Sequence, residues 1–174
     1  MSVLDPDHHR RLIEELDDVA RVAGVPKRYI ERSMSEHCSA EEAAWVRDYR
    51  LHAAKGQFGL CYLGSDHTQR MMAMCGAFVR NYIDARLVTL ADLIELARTN
   101  DVPSASVLLV PSFHREAKQG SVTAFQTNLL WQVLESRMIT ERLTVIGVQS
   151  LALLKNDYGA HFADLVSSHY EVIS

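Results

Sequence analysis

The sequence predicts an α/β fold, a parallel sheet covered by helices on both faces and preceded by a short helical N-terminal segment. Three observations carry this reading. The runs at 58–63, 106–110 and 143–148 are almost uninterruptedly apolar, as strands buried on both faces are, rather than alternating as in a half-solvated sheet. Segments of helical period separate them, and strands that alternate with helices pair in parallel through crossovers. The 174 residues suffice for one core and are too few for two ordinary ones.

Asp5-Pro6 opens the first helix, a capping carboxylate followed by a residue that needs no amide hydrogen. Leu12, Ile13, Leu16, Val19, Ala20 and Ala23 give it an apolar face, and Gly24 ends it. Gly24 also marks the domain boundary: 1–24 as N-terminal helix, 25–174 as the main domain. Pro26 forces an extended stretch over 25–29, followed by a polar passage to Cys38. The Ser39–Glu42 spacing is a capping box that starts a helix to about Lys55, with Trp45, Val46, Tyr49 and Ala53 inward and Gly56 as its stop.

After the strand at 58–63 comes a helix over 71–83, its pattern beginning near Thr68, and its methionines read as packing. A short strand at 86–89 and a helix at 90–98 lead to the central strand at 106–110. A polar loop (114–120) precedes a long helix at 122–138 carrying Phe125, Leu129, Leu130, Val133 and Leu134 inward. The strand at 143–148, helices at 151–154 and 160–167, and a last strand at 170–173 complete the chain.

Composition narrows the classes of function. Hydrophobic residues are 48% and charged residues 23%, ordinary for a globular protein. No run approaches the roughly 20 apolar residues of a bilayer span, and the start lacks the apolar centre of a signal peptide, so a cytoplasmic location is expected. A net charge of −4 gives no global pull toward nucleic acid, so any DNA contact must be local. Cys38, Cys61 and Cys75 fall in no paired or metal-ligand spacing and read as small hydrophobes, and no metal is expected. His114-Arg115-Glu116 has the H-x-E spacing of zinc deaminases without the cysteine pair that would complete it.

The chemistry turns on the strand–loop–helix unit at 57–71. Where a phosphate-binding loop reads G-x-x-x-x-G-K-[ST], positions 64–71 read GSDHTQRM. Gly64 is kept; Gln69 replaces the second glycine, Arg70 the lysine and Met71 the magnesium-binding hydroxyl. The planar guanidinium of Arg70 is a poor substitute for a point ammonium nested among phosphates. His67 and Gln69 put side chains where glycines would let phosphate approach the backbone.

The order of segments resembles a known family. GVPKRY (24–29), KGQFGLCYLG (55–64), LVTLADLIEL (87–96), SVLLVPSF (106–113), VLESRMITERLTVIGVQS (133–150) and YGAHFADLV (158–166) resemble AAA+ ATPases of the DnaC/DnaI helicase-loader and IstB transposition-helper type. The resemblance implies a P-loop NTPase-like AAA+ core and covers nearly everything from Val22 onward. The chain's end at Ser174, without a helical lid, is also expected of the loader-type subgroup. The strand that should end in two acidic residues for magnesium and water is followed by Pro111-Ser112, which can do neither job. The sensor position falls near Gln149, and the two arginines that would reach a neighbouring subunit's nucleotide fall at His161 and Leu165. Lysine, metal ligands and arginines are lost together, which points to a pseudo-ATPase with no cofactor. The implied role is an adaptor docked on an ATPase, helicase or other protein of a DNA-processing system, with DNA reached through that partner.

Other readings stay open at this stage. A weak binder of ATP or ADP could use Thr68, Arg70 and an unconventional acid, Asp66 or Glu116. A different doubly wound α/β domain with a small-ligand site would be betrayed by its strand order. Arg70 is either an anion contact or a solvated helix residue. Lys27, Arg28, Tyr29 and Arg32 form the densest basic and aromatic cluster, either a nucleic-acid or partner contact or a charged loop.

Overall fold

Five strands, β1 (Gly59–Leu63), β2 (Ala85–Leu87), β3 (Val107–Val110), β4 (Leu143–Val148) and β5 (Tyr170–Ile173), form one sheet in the order β2-β3-β4-β1-β5. The computed structural model describes residues 10–11, 13–65, 67–114 and 122–174. All four strand pairs are parallel, with Leu60 opposite both Val145 and Glu171, and Leu109 opposite both Leu87 and Val145. β3 and β4 are buried along their whole length, which is why their sequences do not alternate. Because β4 lies between β1 and β3, the order is neither the 3-2-1-4-5-6 of dinucleotide-binding domains nor the 2-1-3-4-5 of flavodoxin-like ones.

Successive strand residues face opposite sides and feed two cores. One contains Leu60, Tyr62, Val107, Leu109 and Val145 beneath α1 (Leu16–Ala23), α2 (Arg28–Glu31), α3 (Ala40–Arg47), α4 (Tyr49–His52) and α5 (Thr68–Arg80). The other contains Cys61, Leu108, Val110, Ile146 and Val148 beneath α6 (Leu90–Thr99), α7 (Ala124–Ile139), α8 (Leu151–Tyr158) and α9 (Ala160–His169). Ala20 and Ala23 of α1 belong to the first core, and Arg86 donates to the carbonyl of Val22 at 2.8 Å, so the residues before Gly24 pack with those after it.

Several expectations are corrected in detail. The stretch after Pro26 is helical from Arg28, and a 3₁₀ turn follows at Met34–Glu36. The helix from the capping box is interrupted at Asp48 and resumes as α4 and a 3₁₀ turn, Ala53–Lys55, before Gly56. Thr89 caps α6 instead of ending β2, its hydroxyl accepting from the Asp92 amide at 3.1 Å. Phe125 is 63% exposed: it lies about 140° around α7 from Leu130, so the two cannot face one core. Ile13, ahead of α1, is exposed as well. The helix start at 5–9, Leu12 and most of the 114–120 loop lie outside the described residues.

Gly76 sets how closely α2 docks. A Cβ there would stand 2.1 Å from the carbonyl oxygen of Tyr29, so backbone packs on backbone and Tyr29 is buried against α5.

Candidate functional site

At the carboxyl end of β1, Gly64 turns the chain with φ +112°, and α5 begins at Thr68 after a four-residue connection, 64–67. The local architecture is the expected strand, loop and helix. The side chain of His67 packs against the turn. The imidazole of His67 is buried, stacks on Tyr62 with centroids 5.0 Å apart, and lies 3.5 Å from where a Cβ on Gly64 would stand.

Arg70, at the lysine position, turns back toward α3. Its Nε donates to Glu42 Oε1 at 3.0 Å, and its guanidinium lies 4.7 Å over the Tyr62 ring. The Tyr62 hydroxyl donates to the same Glu42 oxygen, while Glu42 Oε2 accepts the Ser39 amide at 2.7 Å. Nη1 of Arg70 stands 3.5 Å from His67 Nδ1, and the Cys38 thiol donates to the Arg70 carbonyl at 3.3 Å. Glu42 thus closes the capping box with one oxygen and holds the phosphate-loop position with the other.

The electrostatics follow from this wiring. Burial pushes the Glu42 carboxyl up, but hydrogen bonds from Arg70, Tyr62 and Ser39 outweigh it and hold the group below the usual carboxylate range. The hydrogen bond to Glu42 raises Arg70, and burial followed by Glu42 raises the Tyr62 hydroxyl. Burial pushes the Cys38 thiol up to about 12, with Glu42 adding to it. Arg70 is therefore an occupied cation, its charge already matched by an internal carboxylate.

Met71, at the hydroxyl position, is wholly buried, and its Sδ lies 3.8 Å from where a Gly147 Cβ would be. Gln69 is exposed and Thr68 half-buried. Past β3, Pro111 offers only its carbonyl, which a Cβ on Gly147 would meet at 2.1 Å. Ser112 Oγ donates to the His114 carbonyl at 3.2 Å. Gln149 is exposed after β4; His161 is exposed on α9 with its ring 6.5 Å from Trp131; Leu165 is buried. Asp66 and Glu116, the alternative acids, lie outside the described residues. No group of three or more His, Cys, Asp or Glu able to hold a metal ion occurs among the described residues, and no described helix is long and apolar enough to cross a membrane.

The basic cluster is separate from this network. Lys27 pairs with Asp17 at 3.1 Å, and that hydrogen bond raises its pKa; Arg32 lies 3.7 Å from Glu36; Arg28 sits 5.1 Å over the Tyr29 ring. Tyr29 is 5% exposed, so its ring belongs to the core rather than to a stacking surface. Sequence reasoning missed Glu42 and Tyr62 as site residues. The capping box pointed to Glu42, but nothing local tied it to positions 20 and 28 residues further on. The pairing of His114 Nδ1 with Asp157 at 3.0 Å was equally hidden, 43 residues apart.

The sheet order and the strand–loop–helix unit have the P-loop NTPase-like fold of the AAA+ type, and the loop after β1 packs against its own side chains. The chain has the fold of DnaC: it matches the crystal structure of the DnaC helicase loader at TM-score 0.63 and 16% identity, over 84% of this chain and 98% of that one. It matches DnaI at TM-score 0.60 and 15% identity, covering 86% and 93%. The replication initiator DnaA, bound to AMPPCP and single-stranded DNA, matches at TM-score 0.60 and 8% identity, over 83% of this chain and 50% of that one. No protein-family model matches the chain, and no curated protein matches it in sequence.

Proposed function

We propose that this protein is a catalytically silent AAA+-like adaptor that docks on an ATPase, a helicase or another component of a DNA-processing system such as replication or transposition. One observation carries the silent part: Arg70, at the lysine position, is held by the buried Glu42 carboxylate and the Tyr62 ring. Phosphoryl transfer depends almost wholly on placing positive charge and metal against phosphate. Here the charge is spent internally, and Pro111-Ser112 stand where metal ligands are needed. The partner class is supported by likeness to a helicase loader and a replication initiator, whose shared fold this chain retains.

The test is thermal unfolding of the full chain with ATP and ADP, with and without magnesium, beside an Arg70→Ala variant. A ligand at 100 times its dissociation constant adds about 2.7 kcal/mol, so binding in the micromolar range would be plain at millimolar nucleotide. No saturable stabilisation is expected. Stabilisation that vanishes in Arg70→Ala would instead establish a nucleotide binder with an atypical phosphate loop.

A further inference from the structure

At the opposite end of the sheet from Gly64, α7 contributes an arginine that is buried with no carboxylate in ion-pair contact among the described residues. Arg137 is 4% exposed. Its Nε donates to Thr144 Oγ1 at 3.0 Å, its Nη2 to the carbonyls of Leu143 at 2.7 Å and Ala105 at 3.1 Å, and its Nη1 to the carbonyl of Pro103 at 3.3 Å. Every acceptor is neutral. A guanidinium has five N–H groups, and these bonds use four, so the remaining one is on Nη1.

Burial draws the pKa of Arg137 down to about 10; Tyr170 and, more weakly, the Asp84 carboxylate work against the shift, and the like charge of Arg142 adds to it. Among the described residues no carboxylate pairs with either arginine. Both line a cavity of about 300 Å³, together with Asn100, Gln132, Ser136 and Thr140. Two like charges facing one polar hollow, one of them buried, constitute a site short of an anion.

We propose that this cavity binds a phosphate group, with Arg142 as its main ligand and the remaining Nη1–H of Arg137 completing the contact. Guanidinium forks match tetrahedral oxyanions, and the Ser136 hydroxyl adds a donor of the same kind. The volume is at the small end of ligand pockets, which suits free phosphate or a single phosphoryl group better than a whole nucleotide. The site is independent of the phosphate loop and of the role proposed for it.

The experiment is calorimetric titration of the full chain with inorganic phosphate against sodium chloride at matched ionic strength, with adenosine monophosphate as a second arm. Phosphate-specific binding is expected, weakened about tenfold or more in Arg142→Gln, partly retained in Arg142→Lys and unchanged in Arg70→Ala. Tighter binding of the monophosphate would assign the phosphoryl group to a nucleotide; equal or weaker binding would assign it to free phosphate. A response to phosphate no different from chloride, or undiminished binding in a folded Arg142→Gln, overturns the proposal. Binding lost in Arg70→Ala instead would place phosphate at the loop and overturn it equally.

Discussion

The Arg70 guanidinium stands 3.0 Å from a Glu42 carboxylate whose own side chain has no exposed surface. Two elements far apart in sequence, the capping box of α3 and the first turn of α5, are joined by this pair, with Tyr62 of β1 beneath both.

Removing either partner should destabilise the protein, by unequal amounts. Arg70→Ala leaves Glu42 bonded to Tyr62 and Ser39, and Arg70 is partly exposed, so a loss of about 1–2 kcal/mol is expected after solvent screening. Glu42→Ala strands the buried Tyr62 hydroxyl and breaks the capping box, for about 3 kcal/mol. Urea unfolding of both singles and the double variant should give a coupling of about 0.5–3 kcal/mol; strict additivity would contradict the network.

The same carboxylate makes the fold acid-sensitive. Its folded pKa is below the unfolded value of about 4.3, so the unfolded chain binds the proton more readily. Its contribution is complete above that value and is lost as pH falls through the folded pKa. Denaturant midpoints measured between about pH 2 and 6 should fall more steeply for the wild type than for Glu42→Gln. Parallel curves would refute the assignment.

Gly147→Ala should be costly although it adds one methyl group. The new Cβ would meet the Pro111 carbonyl at 2.1 Å, and both neighbours are fixed backbone in a central strand and its partner's exit. A loss of about 1–3 kcal/mol or more is expected from chemical denaturation.

All three thiols should be unreactive in the folded protein. Burial pushes Cys61 and Cys75 up to about 12, as it does Cys38. At pH 8 the thiolate fraction would be on the order of 10⁻⁴ at each. Iodoacetamide should label the native chain negligibly and the urea-unfolded chain at all three positions, read by mass spectrometry.

Exposed apolar residues of α7 should behave as surface. Phe125→Ser and Ile139→Gln are expected within about 0.5 kcal/mol of the wild type, whereas Phe113→Ala, wholly buried, should cost about 3–5 kcal/mol.

What the sequence made legible was local. The strands at 143–148 and 170–173 were placed to the residue, the first because a nearly continuous apolar run ended at Gln149-Ser150, and the Ser39 capping box and the Gly24 and Gly56 stops formed as read. Phe125 was misplaced because apolar character was counted without its angle around the helix. At the candidate site, the departures from a phosphate-loop pattern at 69–71 and 111–112 are a reading of the sequence, whereas the contacts of Arg70 and His67 came only from the structure. Glu42 meets Tyr62 and Arg70 only after three elements have packed, and no local period encodes a contact of that range.

Gly64 sits above a ring, an arginine and a carboxylate that fit one another, and this makes the arrangement hard to undo. Placing a lysine at 70 would leave Glu42 to hold it and His67 still beneath the turn; trimming His67 would leave Met71 wedged beside Gly147. Each single reversal would weaken the packing without opening a cradle. The side chains around this turn are thus interlocked, and no single substitution removes His67, Arg70 and Met71 from it together.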